Sequence, residues 1–319
     1  MTRFKLVTAI LAGWILATGV HAQELTGTLN KIKQTGQIVL GVRDSSIPFS
    51  YLDDKQNYLG YSIDLCDKIA SAVQRKLGMV ELKRRYQPVT SATRIPLMAN
   101  GTIDLECGST TNNLEREKQV AFAPTTFVTA NRILYKKGSG IKVLADLKGK
   151  TIVSTAGTSN IKQITILNAE RNLNMNILSA KDHAEAFLMV ETGRAAAFVM
   201  DDVLLASLAA TSKNPSEFEI SNEALSVEPY GIMLRRDDPQ FKAVVDEAID
   251  NVFKSGEINQ IYAKWFLSPI PPLGVNLNVP MSPQLKAIIA KPTDSGDPAV
   301  YAAVPEAQKE SLQRDKSSK

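Results

Sequence analysis

Between residues 108 and 116 the chain reads GSTTNNLER, a run of small hydrogen-bonding side chains that ends on an arginine. Such a stretch suits recognition of an anion. Glycine lets the backbone come close, the hydroxyls of Ser109, Thr110 and Thr111 give or take hydrogen bonds, and a guanidinium grips a carboxylate with two parallel N–H donors. Three more polar clusters follow the same pattern, Arg43 to Ser46, Thr90 to Arg94 and Gly157 to Asn160, and Asp201 with Asp202 closes a further apolar run. Arg43, Arg94 and Arg116 thus belong to separate clusters. The signatures HExxH, GxSxG, CxxC and a complete GxGxxG are all absent, and GSG at 138–140 follows a basic loop without opening a nucleotide motif. Read alone, the Ser/Thr cluster is a solvated turn with a helix cap, Arg43 and Arg94 are surface ion-pair partners of little energetic value, and His183 is a surface residue starting a helix after Asp182.

The elements that must hold these clusters follow from periodicity. QIVLGV (37–42) reads as a strand ending at the loop RDSSIPFSYLDD, and residues 63–77 as an amphipathic helix with Cys66, Ile69, Ala70, Val73 and Leu77 on one face. RRYQPV, a short helix over 91–100 and the strand TIDLEC complete a first alternating unit. A second opens near Asn131, with TIVSTA, a helix to Asn172, NILSA, a helix from Asp182 to Thr192 and AAAFVMD. LMANGTIDLEC and MVETGRAAAFVMDD echo one another as helix, glycine turn, buried strand and polar end, with Gly101 and Gly193 placed as left-handed helix stops. GIMLRR, a helix over 239–254 and another ending at Phe266 before PIPP close the pattern.

The fold class expected is therefore α/β, with mostly parallel sheets flanked by helices. In such sheets ligands collect beyond the carboxyl ends of the strands, which puts all four polar clusters on the ligand edge. Asn112 followed by Glu115 predicts a capping box, and Thr158 or Ser159 predicts a cap on the next helix.

With 319 residues the chain suits two lobes better than one core. Its formal charge of +4 is small, and no block of basic residues marks a nucleic-acid partner. Residues 1–22 read as a signal peptide: basic Arg3 and Lys5, an apolar run from Leu6 to Val20, and VHA with cleavage after Ala22, implying export to the periplasm. His183 is then the one histidine of the mature chain, which excludes a histidine-rich metal site; no cofactor is expected. Cys66 and Cys107 either pair in the oxidising compartment or remain two buried thiols. From Lys291 the composition turns polar and reads as a loosely attached or disordered tail.

The segments GVRDSSIPFSY, TSATRIPLMANGTIDLECGSTTNN, ADLKGK with STAGTS, SAKDH, GRAAAFVMDD and PYGIMLRRDDPQF resemble the solute-binding proteins of ABC importers for polar amino acids, family 3, and within them the glutamate/aspartate-binding subgroup. The resemblance runs from about Leu29 to Pro292. It implies the two-lobed type II periplasmic-binding-protein fold, with a discontinuous first lobe (27–128 and 229–275), a second lobe (129–228), an extension over 276–292, a disordered tail over 293–319, and crossover strands near 127–131 and 226–231. It implies a monomer that binds L-glutamate and L-aspartate and partners an importer's permease and ATPase, with no catalysis.

The same resemblance assigns roles. Arg116, Thr111 and Ser109 hold an α-carboxylate, Asp201 receives the α-ammonium, and Ser91, His183, Thr158 and Ser159 make further contacts. Arg43 and Arg94 add positive charge that a neutral ligand leaves uncompensated, so a second ligand carboxylate is expected. The subgroup pattern carries Cys where this chain has Ile232, which leaves Cys66 as the partner open to Cys107. The competing reading is an enzyme on the same fold, a secreted dehydratase or lyase with Glu106 or Glu115 as acid.

Overall fold

The structure, a computed structural model, describes residues 24–302. The leader and its cleavage site, and the tail from residue 303, lie outside the described residues. Two sheets organise the chain, each belonging to one lobe. In the first, the strand order is Lys83–Pro88, Gln37–Val42, Leu105–Glu106, Met233–Arg235, Val120–Phe122. The first three run parallel, and Met233–Arg235 enters antiparallel to both of its neighbours. The second runs Asn176–Ala180, Thr151–Thr155, Ala197–Asp201, Phe127–Lys136, Phe218–Ile220, again a parallel trio followed by antiparallel strands.

The internal echo is thus structural. Gly101 and Gly193 stop corresponding helices at the same φ of +76°, a left-handed conformation that costs glycine little.

Phe127–Lys136 and Ser226–Tyr230 are the crossover strands. They pair antiparallel from Asn131 opposite Ser226 to Phe127 opposite Tyr230, where the sequence places them. Their first-lobe roots rest on an aromatic cluster: Phe127 lies 5.0 Å from Phe49 and 4.9 Å from Phe266 between ring centroids, and Phe49 lies 5.2 Å from Tyr230. The buried Tyr61 hydroxyl donates to the carbonyl of Thr126 at 2.8 Å. Rings so interlocked give the crossovers a rigid base.

Local chemistry explains most helix limits. The helix Tyr61–Lys76 buries Cys66, Ile69, Ala70 and Val73 at helical spacing. Thr158, Asp182 and Asp238 each accept a hydrogen bond from a first-turn N–H and cap Ser159–Glu170, His183–Glu191 and Pro239–Lys254. Two expectations need correction. The helix predicted over 91–100 forms only at Arg94–Ala99. The capping box at Asn112 is not formed, and one 3-10 turn, Arg116–Lys118, follows. Asn113, not Asn112, accepts from the Arg116 N–H at 2.9 Å, while the Asn112 side chain is held by its Nδ2 donating to Glu117 and to the carbonyl of Asp294.

That last contact carries a third correction. Residues 293–302, expected to be part of a disordered tail, pack on the first lobe: the Thr125 N–H donates to Thr293, and Tyr301 is buried. Composition is a poor guide there because the anchoring groups are backbone carbonyls and a single tyrosine.

Cys66 and Cys107 are joined in a disulfide spanning 41 residues of sequence, and Ile232 is buried in the core. Closing a loop of that length restricts the unfolded chain, worth about 3–4 kcal/mol. Urea unfolding with and without reductant is expected to show an unfolding free energy lower by about that amount on reduction, read as a lower midpoint. An unchanged midpoint contradicts it.

Candidate functional site

The carboxyl ends of the two sheets face each other across a narrow polar cleft. Ser91, Arg94, Ser109 and Thr111 line it from the first lobe, and Thr158, Ser159, His183 and Asp201 from the second. Arg43 and Arg116 do not line this space; both are buried, and each is coupled electrostatically to Arg94.

The Ser/Thr loop is held extended alongside the second crossover. Thr111 bridges Tyr230, the Asn112 N–H donates to Pro229 at 2.7 Å, and the Gly231 N–H donates to Thr110 at 3.2 Å. Gly108 is required where the chain enters this loop, since a Cβ there would fall 2.3 Å from Glu106 Oε1 and 2.9 Å from Arg43 Cγ.

Arg94 Nη1 donates to the Ser109 carbonyl at 3.1 Å and to Thr110 Oγ1 at 2.5 Å, and lies 4.0 Å from Glu106 Oε1. Thr110 in turn donates to Glu106. Glu106 is fully buried. The expectation that both Arg43 and Arg94 lack local compensation is therefore corrected: Glu106 acts on all three guanidiniums, and Asp201 and Glu228 add negative charge near Arg116.

Burial and the neighbouring Arg94 lower the guanidinium pKa of Arg43 to about 10, and the same two causes lower that of Arg116 to about 10. All remain charged at neutral pH. Arg116 donates to the Thr111 carbonyl at 2.7 Å and reaches across the cleft to the Gly157 carbonyl at 3.3 Å.

Gly157 itself sits at φ +74°, and a Cβ there would lie 2.5 Å from Ala92 Cα, so the lobes meet backbone to backbone.

On the facing side Asp201 accepts from Asn160 Nδ2 at 2.7 Å and from the Tyr230 hydroxyl. Burial, then the Glu228 charge, raises its pKa. Glu228 accepts from Ser159 at 2.8 Å, and Ser159 also reaches Thr111 Oγ1 at 3.4 Å. His183 is not the surface residue its position implies when read alone. It is 2% exposed, its Nδ1 is 2.9 Å from Thr155 Oγ1, and burial followed by the Arg43 and Arg94 charges holds it neutral well below its usual range.

Arg43 Nη1, Arg94 Nε and Ser91 Oγ are buried without a hydrogen-bond partner among the described residues. Each unsatisfied buried donor costs about 1–3 kcal/mol, which an acceptor-rich guest recovers. The arrangement can hold an anion.

Sequence reasoning did not single out Asn160, Tyr230, Glu228 or Thr155. One signal was available for Glu106: a carboxylate inside an otherwise apolar strand needs a buried cation.

A family model described as bacterial extracellular solute-binding proteins, family 3, matches residues 38–268. The chain is 54% identical over 290 residues to an L-glutamate/L-aspartate-binding protein of Pseudomonas aeruginosa, covering 91% of this chain and 96% of the relative. It is 48% identical over 294 residues to a glutamate/aspartate import solute-binding protein of Escherichia coli, covering 91% and 97%. Among solved structures, a mutant ArgBP from T. maritima superposes with a TM-score of 0.66 at 28% identity, covering 74% of this chain and 98% of that one. An ancestral amino acid-binding protein, a precursor of cyclohexadienyl dehydratase, gives 0.64 at 28%, covering 75% and 99%.

The buried histidine supplies a pH test. A base held neutral by the fold binds its proton better when unfolded, so its contribution to stability is whole above the unfolded pKa near 6.5 and is lost as pH falls below it, at up to about 1.4 kcal/mol per pH unit. The His183 ring resonances of the folded protein are expected not to titrate between pH 8 and 5. A midpoint near 6.5 contradicts the burial and charge described.

Proposed function

The chain belongs to the bacterial extracellular solute-binding proteins of family 3, and from that membership we propose that it is the periplasmic receptor of an ABC importer for L-glutamate and L-aspartate. Its part is capture and delivery to the permease and ATPase, without catalysis. The observation that carries the ligand class is the buried positive cluster at the cleft: Arg94 lines it beside Glu106, and the buried Arg43 and Arg116 act on Arg94 electrostatically. A ligand with two carboxylates and one ammonium balances that excess, whereas a neutral side chain leaves buried charge unpaired, at a cost of several kcal/mol.

In this reading Arg116 binds the α-carboxylate with Ser109 and Thr111, and Asp201, oriented by Asn160 and Tyr230, receives the α-ammonium. Arg94 and Arg43, with Ser91 and His183, serve the side-chain carboxylate, and Thr158 and Ser159 close over the ligand from the second lobe. The donor atoms left free on Arg43, Arg94 and Ser91 support this division. We place the lobe limits at 27–128 with 229–275 and at 129–228, and leader cleavage after Ala22. Among the described residues no helix is long and apolar enough to cross a membrane.

A bound on affinity comes from the contacts: charge-assisted hydrogen bonds of about 1.5–3 kcal/mol each, less the losses of orientation and desolvation, leave about −8 to −10 kcal/mol, micromolar or tighter.

Calorimetric titration separates the roles. Arg116→Ala is expected to weaken every amino acid ligand by about two orders of magnitude or more, and Arg94→Ala to weaken glutamate and aspartate far more than glutamine. Wild-type affinity in both variants contradicts the assignment.

A further inference from the structure

The segment from Thr293 to Tyr301 lies beyond the span 38–268 that the family model matches, yet it is fastened to the stretch that presents Arg116. Asn112 Nδ2 donates to the Asp294 carbonyl at 2.6 Å, and the Gly296 N–H donates to Glu117 Oε1 at 2.6 Å. The Asp294 carboxylate pairs with Lys242 at 2.8 Å. Gly296 passes so close that a Cβ would lie 2.6 Å from the Asn113 carbonyl carbon.

The same segment reaches the roots of both crossovers. The Thr125 N–H donates to Thr293 at 2.8 Å just before the first crossover, the buried Tyr301 hydroxyl shares a 2.8 Å hydrogen bond with Thr125 Oγ1, and the short helix Ala299–Ala302 packs on Ser226–Tyr230.

The stretch it holds needs outside support. Residues 112–117 contain only the start of one 3-10 turn, so their polar groups depend on partners brought from elsewhere in the chain. They also make first-lobe contacts with the second lobe, through Arg116 to Gly157 and through Glu115 to Lys162. We propose that residues 293–301 form a strap that positions the Thr111–Glu117 stretch for ligand capture and for closure against the second lobe. The strap touches no ligand and acts through Asn112, Asn113 and Glu117. This inference rests on the reading of the cleft as an amino acid receptor, and it places a control of affinity outside the part of the chain that carries the binding residues.

The test uses full-length Gly296→Val, whose side chain cannot fit against Asn113, and Tyr301→Phe, which keeps the ring and removes the hydroxyl's hydrogen bonds to Thr125 Oγ1 and to the Ser295 carbonyl. Glutamate titration and hydrogen exchange of the ligand-free proteins are measured side by side. Expected is glutamate binding weaker by about tenfold in Gly296→Val and by about threefold in Tyr301→Phe, with faster exchange confined to residues 111–125 and unchanged exchange in 151–180. Affinity within about twofold of wild type in both variants overturns the strap, as does faster exchange spread evenly through both lobes. If Gly296→Val does not fold, Tyr301→Phe decides by the same measurements. A wild-type protein that binds no glutamate overturns the functional reading instead, and the exchange comparison still decides whether the strap orders the loop.

Discussion

Three buried guanidinium groups act on one another beside the cleft, with Arg94 lining it, and much of the local structure serves to keep them there. Like charges out of water repel each other strongly and lose their hydration, so such a cluster persists only where fixed acceptors surround it. Those acceptors are Glu106, the carbonyls of Ser109 and Thr111, and, across the cleft, the carbonyl of Gly157. Gly108 leaves the space that lets Glu106 and the Arg43 side chain coexist. The positive field reaches His183, which stays neutral beside it.

Closure depends on the same economy of space. Ala92 and Gly157 meet with no room for a side chain, so the two lobes approach by backbone while Ser159 and Thr111 touch through their hydroxyls. The crossovers form one antiparallel pair rooted in the cluster around Phe127. Asp201 and Tyr230 link a second-lobe strand end to a crossover.

The legible parts of this arrangement were those that local chemistry determines. Strand and helix alternation, the cap at Thr158 and the glycine stops at 101 and 193 follow from short stretches of sequence, while the crossover positions came with the family resemblance. The polar clusters fall at strand ends, as periodicity predicts. What was illegible depends on residues far apart in the chain. His183 looks like a surface residue until Arg43 and Arg94 are folded near it, the Asn112 side chain turns its Nδ2 to the distant Asp294 carbonyl while Asn113 caps in its place, and residues 293–302 dock through groups whose partners composition does not reveal. Glu106 lies between: its burial could be read from the strand, its partner could not.

The central claim is that the buried cluster selects a guest by its second negative charge. Calorimetric titration of the wild-type protein with glutamate and with glutamine, which differ by that charge at nearly equal size, measures it most directly. The account predicts a single site that prefers glutamate by about a hundredfold or more, a gap of roughly 3 kcal/mol. Equal affinity for the two contradicts it.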